Sequence, residues 1–178
     1  MSWPRSGHHL LVRILSAYFG ERFGYCGYYS PKDCCRNVPC ERAGAINLSK
    51  NHDRNSVVPI LDGEKYLIQY REFCPSVVSD YELYVRNKGK DSKRRFRKFA
   101  KKELENYHTF MQRWATAESA NAGYVRIAYE RLTRFPVETL ESTISLFAPK
   151  EPLNREKLAV SIETADQITI KDKARHVD

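Results

Sequence analysis

No run of apolar residues in this chain approaches the ~20 residues that a membrane-crossing helix needs. The opening residues also lack the basic, apolar and small-residue succession of a secretory signal, so a cytoplasmic protein is the expectation. The P-loop pattern G-x-x-x-x-G-K-S/T is missing, as is the dinucleotide fingerprint G-x-G-x-x-G. Without a Walker lysine or an acidic metal-binding strand end, a P-loop-like kinase is the weaker of the phosphate-handling alternatives. Paired C-x2-C knuckles are absent too. Cys26, Cys34, Cys35 and Cys40 follow the spacing C-x7-C-C-x4-C, with Cys74 apart, which fits ordinary loop thiols better than a common zinc site. No metal is expected, and neither an internal repeat nor a low-complexity segment is found.

The 178 residues, 42% hydrophobic and 29% charged, are read as a single domain over residues 1–178, large enough to bury most of its apolar surface. The net charge of +8 is local. Residues 86–102 carry ten Lys or Arg against Asp91 alone, a net of +9, which leaves −1 for the remainder. Such a run is either a solvated helix face or a basic rim that attracts an anionic substrate.

In chain order, Met1–Trp3 reads as a very short strand, followed by a tight turn and a helix with Leu10, Leu11, Ile14, Leu15 and Tyr18 on one stripe. Gly7 permits a close backbone approach there. The turn aims free N–H groups and a positive helix end at one spot, and Arg5 adds a fork of donors, so an anion site is expected at the start of the chain. Residues 24–47 read as an irregular loop, rich in Gly, Cys, Tyr and Pro, with Tyr25, Tyr28 and Tyr29 clustered. Residues 65–70 read as a strand, and Pro75 as the first turn of a helix bearing Val77, Val78, Tyr81, Tyr84 and Val85. A long amphipathic helix is expected over about residues 95–117, a strand over 123–129, and a helix from Pro136 that ends before Pro149 and Pro152. Asn154 suits the N-cap of a last short helix, and residues 167–178 form a polar tail with no assigned element. Strands alternating with helices predict an α/β fold, a parallel sheet with helices on both faces.

Three features in order carry the chemistry: Trp3-Pro-Arg-Ser-Gly-His-His9, Lys50-Asn-His52, and Leu67-Ile-Gln-Tyr-Arg71 followed by Ser79 eight residues on. Together they resemble the sulfotransferases that use 3′-phosphoadenosine 5′-phosphosulfate. That family has a Y-P-K/R-S-G-S/T-S/T turn for the 5′-phosphosulfate, a K-x-H motif with the catalytic base, and an Arg at a strand end with Ser eight residues later for the 3′-phosphate. The resemblance spans roughly residues 1–165. It implies a three-layer, mainly parallel central sheet flanked by helices, the P-loop-like sulfotransferase architecture.

It also implies roles. Arg5 would neutralise the bridging oxygen, and Ser6, Gly7, His8 and His9 would wrap the 5′-phosphate with backbone N–H groups. Arg71 and Ser79 would grip the 3′-phosphate. His52 would be the general base, with His8, His9 or an acidic residue as alternatives, and Lys50 would stabilise charge on the sulfuryl group. Tyr129, in Tyr-Glu-Arg-Leu, would lie near the adenine, with Trp3 also near the nucleotide. A neutral imidazole near its reference pKa of about 6.5 suits proton removal from a hydroxyl at neutral pH. The acceptor would be a small molecule or carbohydrate, its pocket shaped by the loop 24–47; nucleic acid is not the expected partner.

The chain departs from the family in three places. His8 and His9 replace hydroxyl residues, the first strand is only three residues long, and the late basic Gly-rich segment R-K-G-x-x-G-D-W-K/R is not found, Lys171–Arg175 standing where it would begin. A relative that binds nucleotide or polyanion without transfer is the reading from a different class. Polyanion binding would fall steeply with salt and would not need Arg71 or Ser79.

Overall fold

The computed structural model describes residues 1–27, 46–88, 90–116 and 123–174. The chain divides into two compact units, Met1–Ser6 with His52–Arg131, and Gly7–Asn51 with Leu132–Asp178.

The first unit is built on β3 (Tyr66–Tyr70), which pairs in parallel with β4 (Tyr124–Ala128) in the register Tyr66 to Tyr124 through Tyr70 to Ala128. Tyr66, Leu67, Ile68 and Gln69 are all buried, as a strand covered on both faces requires. Ser2 bridges Gln69 in parallel, with Trp3 N–H donating to the Gln69 carbonyl at 2.8 Å and Gln69 N–H to the Met1 carbonyl at 2.9 Å. The three-residue opening strand is therefore real, though it makes a single bridge. α2 (Phe73–Lys88) starts two residues before Pro75, which sits in the first turn where its missing N–H costs nothing. α3 (Lys93–Phe110) is capped by Ser92, whose hydroxyl accepts from Arg95 N–H, and continues as a π-helical turn, Met111–Ala115, that brings in the fully buried Trp114. Tyr81 packs its ring on Phe96 and Phe99, which joins α2 to α3.

The second unit holds α1 (His8–Phe19), β1 (Phe23–Cys26), β2 (Ile46–Ser49), α5 (Pro136–Phe147) and α6 (Arg155–Ala174); α4 (Tyr129–Arg134) follows β4 directly. Leu11, Ile14, Leu15 and Tyr18 of the expected α1 stripe are buried, and α1 packs on α6. Asn154 caps α6 by accepting from Lys157 N–H at 2.9 Å.

Three differences from the sequence reading stand out. β1 and β2, a parallel pair, take up the two ends of a stretch read as irregular. Phe23-Gly-Tyr-Cys26 is too short, and too weakened by its glycine, to signal a strand. α6 runs through residues read as a tail; its buried line of Leu158, Ser161 and Ala165 is mostly small residues, which an apolar stripe does not reveal. The described strands form two two-stranded parallel sheets where one central sheet was expected. Tyr28, Tyr29, Cys34, Cys35, Cys40 and Arg175 lie outside the described residues; Cys26 is a buried thiol and Cys74 an exposed one. Among the described residues no helix is long and apolar enough to cross a membrane.

Candidate functional site

The two units divide between Ser6 and Gly7 and again between Asn51 and His52, so the expected site residues are taken unit by unit.

In the first unit, three parallel segments end in the same direction. Arg5 follows the opening strand by two residues, Arg71 follows β3 by one, and Tyr129 follows β4 by one. The carboxyl ends of parallel strands are where ligands of open α/β sheets bind. Ser79 reaches this edge from α2.

Arg5, Arg71, Ser79 and Tyr129 form one connected cluster. Arg5 Nε donates to Ser79 Oγ at 3.0 Å, and Arg71 Nη1 donates to the Arg5 carbonyl at 3.4 Å. Arg5 takes a left-handed φ of 60°, a strained conformation for a residue with a side chain, of the sort that concentrates at functional sites. The Arg71 guanidinium lies 4.4 Å above the Tyr129 ring centroid, a cation–π contact that holds its plane. Its Nε is 4.0 Å from Glu130 Oε1 and, among the described residues, makes no hydrogen bond. Glu130 Oε1 also accepts from Glu72 N–H at 3.1 Å, and Tyr107 donates its hydroxyl to the Arg71 carbonyl at 3.1 Å. Burial pushes the Tyr107 phenol up, which keeps that donor protonated. Two guanidiniums and a hydroxyl at one edge suit a dianion.

His52 is held from the opening strand. Its Nδ1 lies 2.6 Å from the Ser2 carbonyl and 3.3 Å from Ser2 Oγ. A carbonyl only accepts, so Nδ1 carries a proton, and in a neutral imidazole the lone pair then falls on Nε2. Asp53, next in sequence, is buried at φ 43°. It accepts from Val58 N–H at 2.9 Å and Trp114 Nε1–H at 2.8 Å, and pairs with Arg113 at 3.0 Å, which fastens the segment that carries His52.

Trp3 and Ser6 face inward. The Trp3 indole is buried, donates to Ser76 Oγ at 3.0 Å and meets Tyr107 edge-on at 5.1 Å. Ser6 is buried and gives both its N–H (3.3 Å) and its hydroxyl (2.6 Å) to the Trp3 carbonyl, so these donors close the turn. The basic side chains of α3, among them Arg94, Arg97, Lys98 and Lys101, are exposed, while Glu103 on the same helix is buried and paired with Arg54.

In the second unit, Gly7 (φ 80°) precedes α1 with no side-chain cap. His8 is buried, with Nε2 3.0 Å from the Tyr25 hydroxyl; burial, and then Cys26, pushes that phenol up to about 12, so it stays protonated. The His9 ring lies 6.1 Å from that of His8. Lys50 N–H donates to the Cys26 carbonyl at 2.9 Å and so extends the β1–β2 ladder by one residue. Tyr25 pairs with Leu48, which puts Lys50 on the same sheet face as Tyr25. Burial holds the Lys50 ammonium below the ordinary lysine value.

In the first unit, Ser2, Tyr107 and Glu130 are neighbours of these residues that no sequence motif marks as site residues. Tyr107 falls within the amphipathic helix expected over about residues 95–117, and Glu130 within Tyr-Glu-Arg-Leu. Among the described residues no group of three or more His, Cys, Asp or Glu is arranged to hold a metal ion. Comparison with known proteins finds no matching family model, no matching curated protein and no matching solved structure. The chain is an α/β protein with small parallel sheets flanked by helices.

Proposed function

We propose that this chain is a sulfotransferase of the P-loop-like architecture, moving a sulfuryl group from 3′-phosphoadenosine 5′-phosphosulfate to a hydroxyl or amine of a small-molecule or carbohydrate acceptor. The observation that carries the proposal is the cluster of Arg5, Arg71 and Ser79 at the carboxyl edge of β3, with Tyr129 against Arg71. In the family that the sequence resembles, an arginine at a strand end and a serine eight residues on hold the nucleotide 3′-phosphate, and a guanidinium fork with a hydroxyl from a second element suits such a group.

The chemistry is an in-line displacement. The acceptor oxygen bonds to sulfur as the bond from sulfur to the 5′-phosphate oxygen breaks, and adenosine 3′,5′-bisphosphate departs. The proton of the acceptor hydroxyl goes to His52 Nε2, whose lone pair is secured by Nδ1–H donation to Ser2. Positioning and cationic charge on the leaving side supply the catalysis, and the role proposed for Lys50 is to stabilise charge on the sulfuryl group. The exposed basic face of α3 draws anionic nucleotide toward the protein.

Thermal denaturation with added adenosine 3′,5′-bisphosphate tests the nucleotide assignment. A ligand present at 100 times its Kd stabilises by about 2.7 kcal/mol. Wild type should show a clear upward shift in Tm and Arg71→Ala little or none; an equal shift in the two would sink the assignment of Arg71.

A further inference from the structure

The strongest concentration of charge in the described residues lies on α3, outside the cluster at the edge of β3. From the arc over which that charge is spread, we infer that the exposed face of α3 docks in the major groove of double-stranded DNA and holds its phosphate backbone. Nucleic acid is not the partner that the sequence resemblance implies; the placement of charge on this helix is what points to it. The inference uses none of Arg5, Arg71, Ser79 or His52, so it goes beyond the proposed function and does not rest on it.

Lys93, Arg94, Arg95, Arg97, Lys98, Lys101 and Lys102 fall within about 15 Å of helix, and all of them are exposed. Among the described residues none of them pairs with a carboxylate. Glu103 turns inward to Arg54, and the exposed acids Asp91 and Glu105 stand beyond either end of the run. Lys93 and Arg97, Arg94 and Lys98, Arg97 and Lys101, and Lys98 and Lys102 are like charges one turn apart, an arrangement that destabilises a helix. The first turn holds three of these cations and no acid, against the direction that the helix dipole favours. Nothing inside the fold offsets this repulsion, and an external polyanion would.

The packed side of α3 is fixed by its aromatic residues. Tyr81 packs on Phe96 and Phe99, Tyr84 on Phe99, and Trp3 on Phe110. At about 100° per residue, Arg94, Arg97, Lys98 and Lys101 face away from that side, Arg95 and Lys102 fall on one flank, and Lys93 falls on the other. The charge therefore covers about 200° of the helix circumference. A flat anionic bilayer meets the outward four and leaves the flanks unused. Phe96, Phe99 and Phe110 are engaged in packing, so α3 cannot insert an apolar face as an interfacial helix does. The major groove of B-form DNA, about 12 Å wide, admits a helix about 10–12 Å across and sets phosphates along both of its flanks. Contacts of this kind position a protein on the duplex without reading its sequence.

Two charge-matched triple variants test the geometry. One neutralises the outward side (Arg94→Gln, Lys98→Gln, Lys101→Gln) and the other the flanks (Lys93→Gln, Arg95→Gln, Lys102→Gln). Binding to a labelled duplex of about 20 base pairs is followed by fluorescence anisotropy over about 50–200 mM salt. Wild type should show a slope of log Kobs against log salt of about −6, as about seven neutralised phosphates give, and each triple should reduce its magnitude by about three. Vesicles of phosphatidylcholine with phosphatidylserine should bind wild type less tightly than the duplex at equal salt and be sensitive to the outward triple alone. Without DNA, neither triple should melt below wild type, since the exchanged side chains are exposed and have no carboxylate partner. Arg71→Ala should bind the duplex as wild type does. Duplex binding by wild type that is absent or independent of salt would overturn the inference, as would a flank triple with wild-type affinity for the duplex. Tighter binding to vesicles would make the face a membrane surface, and loss of duplex binding in Arg71→Ala would move the polyanion to the edge of β3. Each of those results overturns the inference as well, and none of them tests sulfuryl transfer.

Discussion

Lys50 carries a cost to stability at the scale of one residue. Burial lowers its pKa in the folded protein, so the fold binds this proton less tightly than the unfolded chain does. A cationic group with a depressed folded pKa opposes folding fully while it is charged in both states. That cost is relieved as pH rises from the lowered folded value toward the unfolded value of about 10.4. Lys50→Met should therefore raise Tm at neutral pH, and its advantage over wild type should shrink between neutral and strongly alkaline pH. Thermal melts over that range check this; a variant less stable than wild type at every pH would show that the ammonium is compensated by a partner. His52 and Ser2 make a contrasting case. Their contact spans fifty positions and joins two residue types that carry no periodic signal, so Lys50-Asn-His52 is readable as a motif while the group that sets the imidazole tautomer is not. Arg71 and Ser79 stand out in the sequence only through the family resemblance, and in the structure each contacts Arg5. The contact of Arg5 with Ser79 is not legible in the sequence, since it joins residues seventy-four positions apart.

At the scale of elements, the legible parts are those with strong periodicity. β3 and β4 are short runs bounded by turn residues, and α1 and α5 carry clear apolar stripes. What stayed hidden depends on partners distant in sequence. β1 pairs with a strand beginning twenty-three residues after its own start, Phe23 facing Ile46, and α6 packs through Ser161 and Ala165 where small size, not hydrophobicity, sets the fit. The β3–β4 pair also has a close approach at its open end. Gly123 accepts from Tyr66 N–H at 2.7 Å, and a Cβ added there would stand 2.9 Å from the Glu64 carbonyl oxygen. That neighbour is backbone and cannot swing aside. Gly123→Ala should cost about 1–3 kcal/mol, the usual range for overpacking, measured by urea denaturation. Unchanged stability would mean that the two strands separate there at little cost.

For the molecule as a whole, the net charge says less than its distribution. All of the excess positive charge sits in residues 86–102, and most of those side chains project from α3 into solvent. Such a face raises the local concentration of anions without choosing among them. In the function proposed, selection falls to the edge of the β3 sheet, where Arg5, Arg71 and Ser79 meet, and transfer to His52. The measurement that bears most directly on this division is sulfuryl transfer itself: release of adenosine 3′,5′-bisphosphate from 3′-phosphoadenosine 5′-phosphosulfate in the presence of a panel of phenols, alcohols, amines and oligosaccharides. Wild type should show release that depends on an acceptor. His52→Ala should lose about 10²-fold or more of that rate, as removal of a general base does, while still binding adenosine 3′,5′-bisphosphate with nearly wild-type affinity. Full transfer by His52→Ala would contradict the assignment of the base, and no acceptor-dependent release by wild type across the panel would contradict sulfuryl transfer as the function.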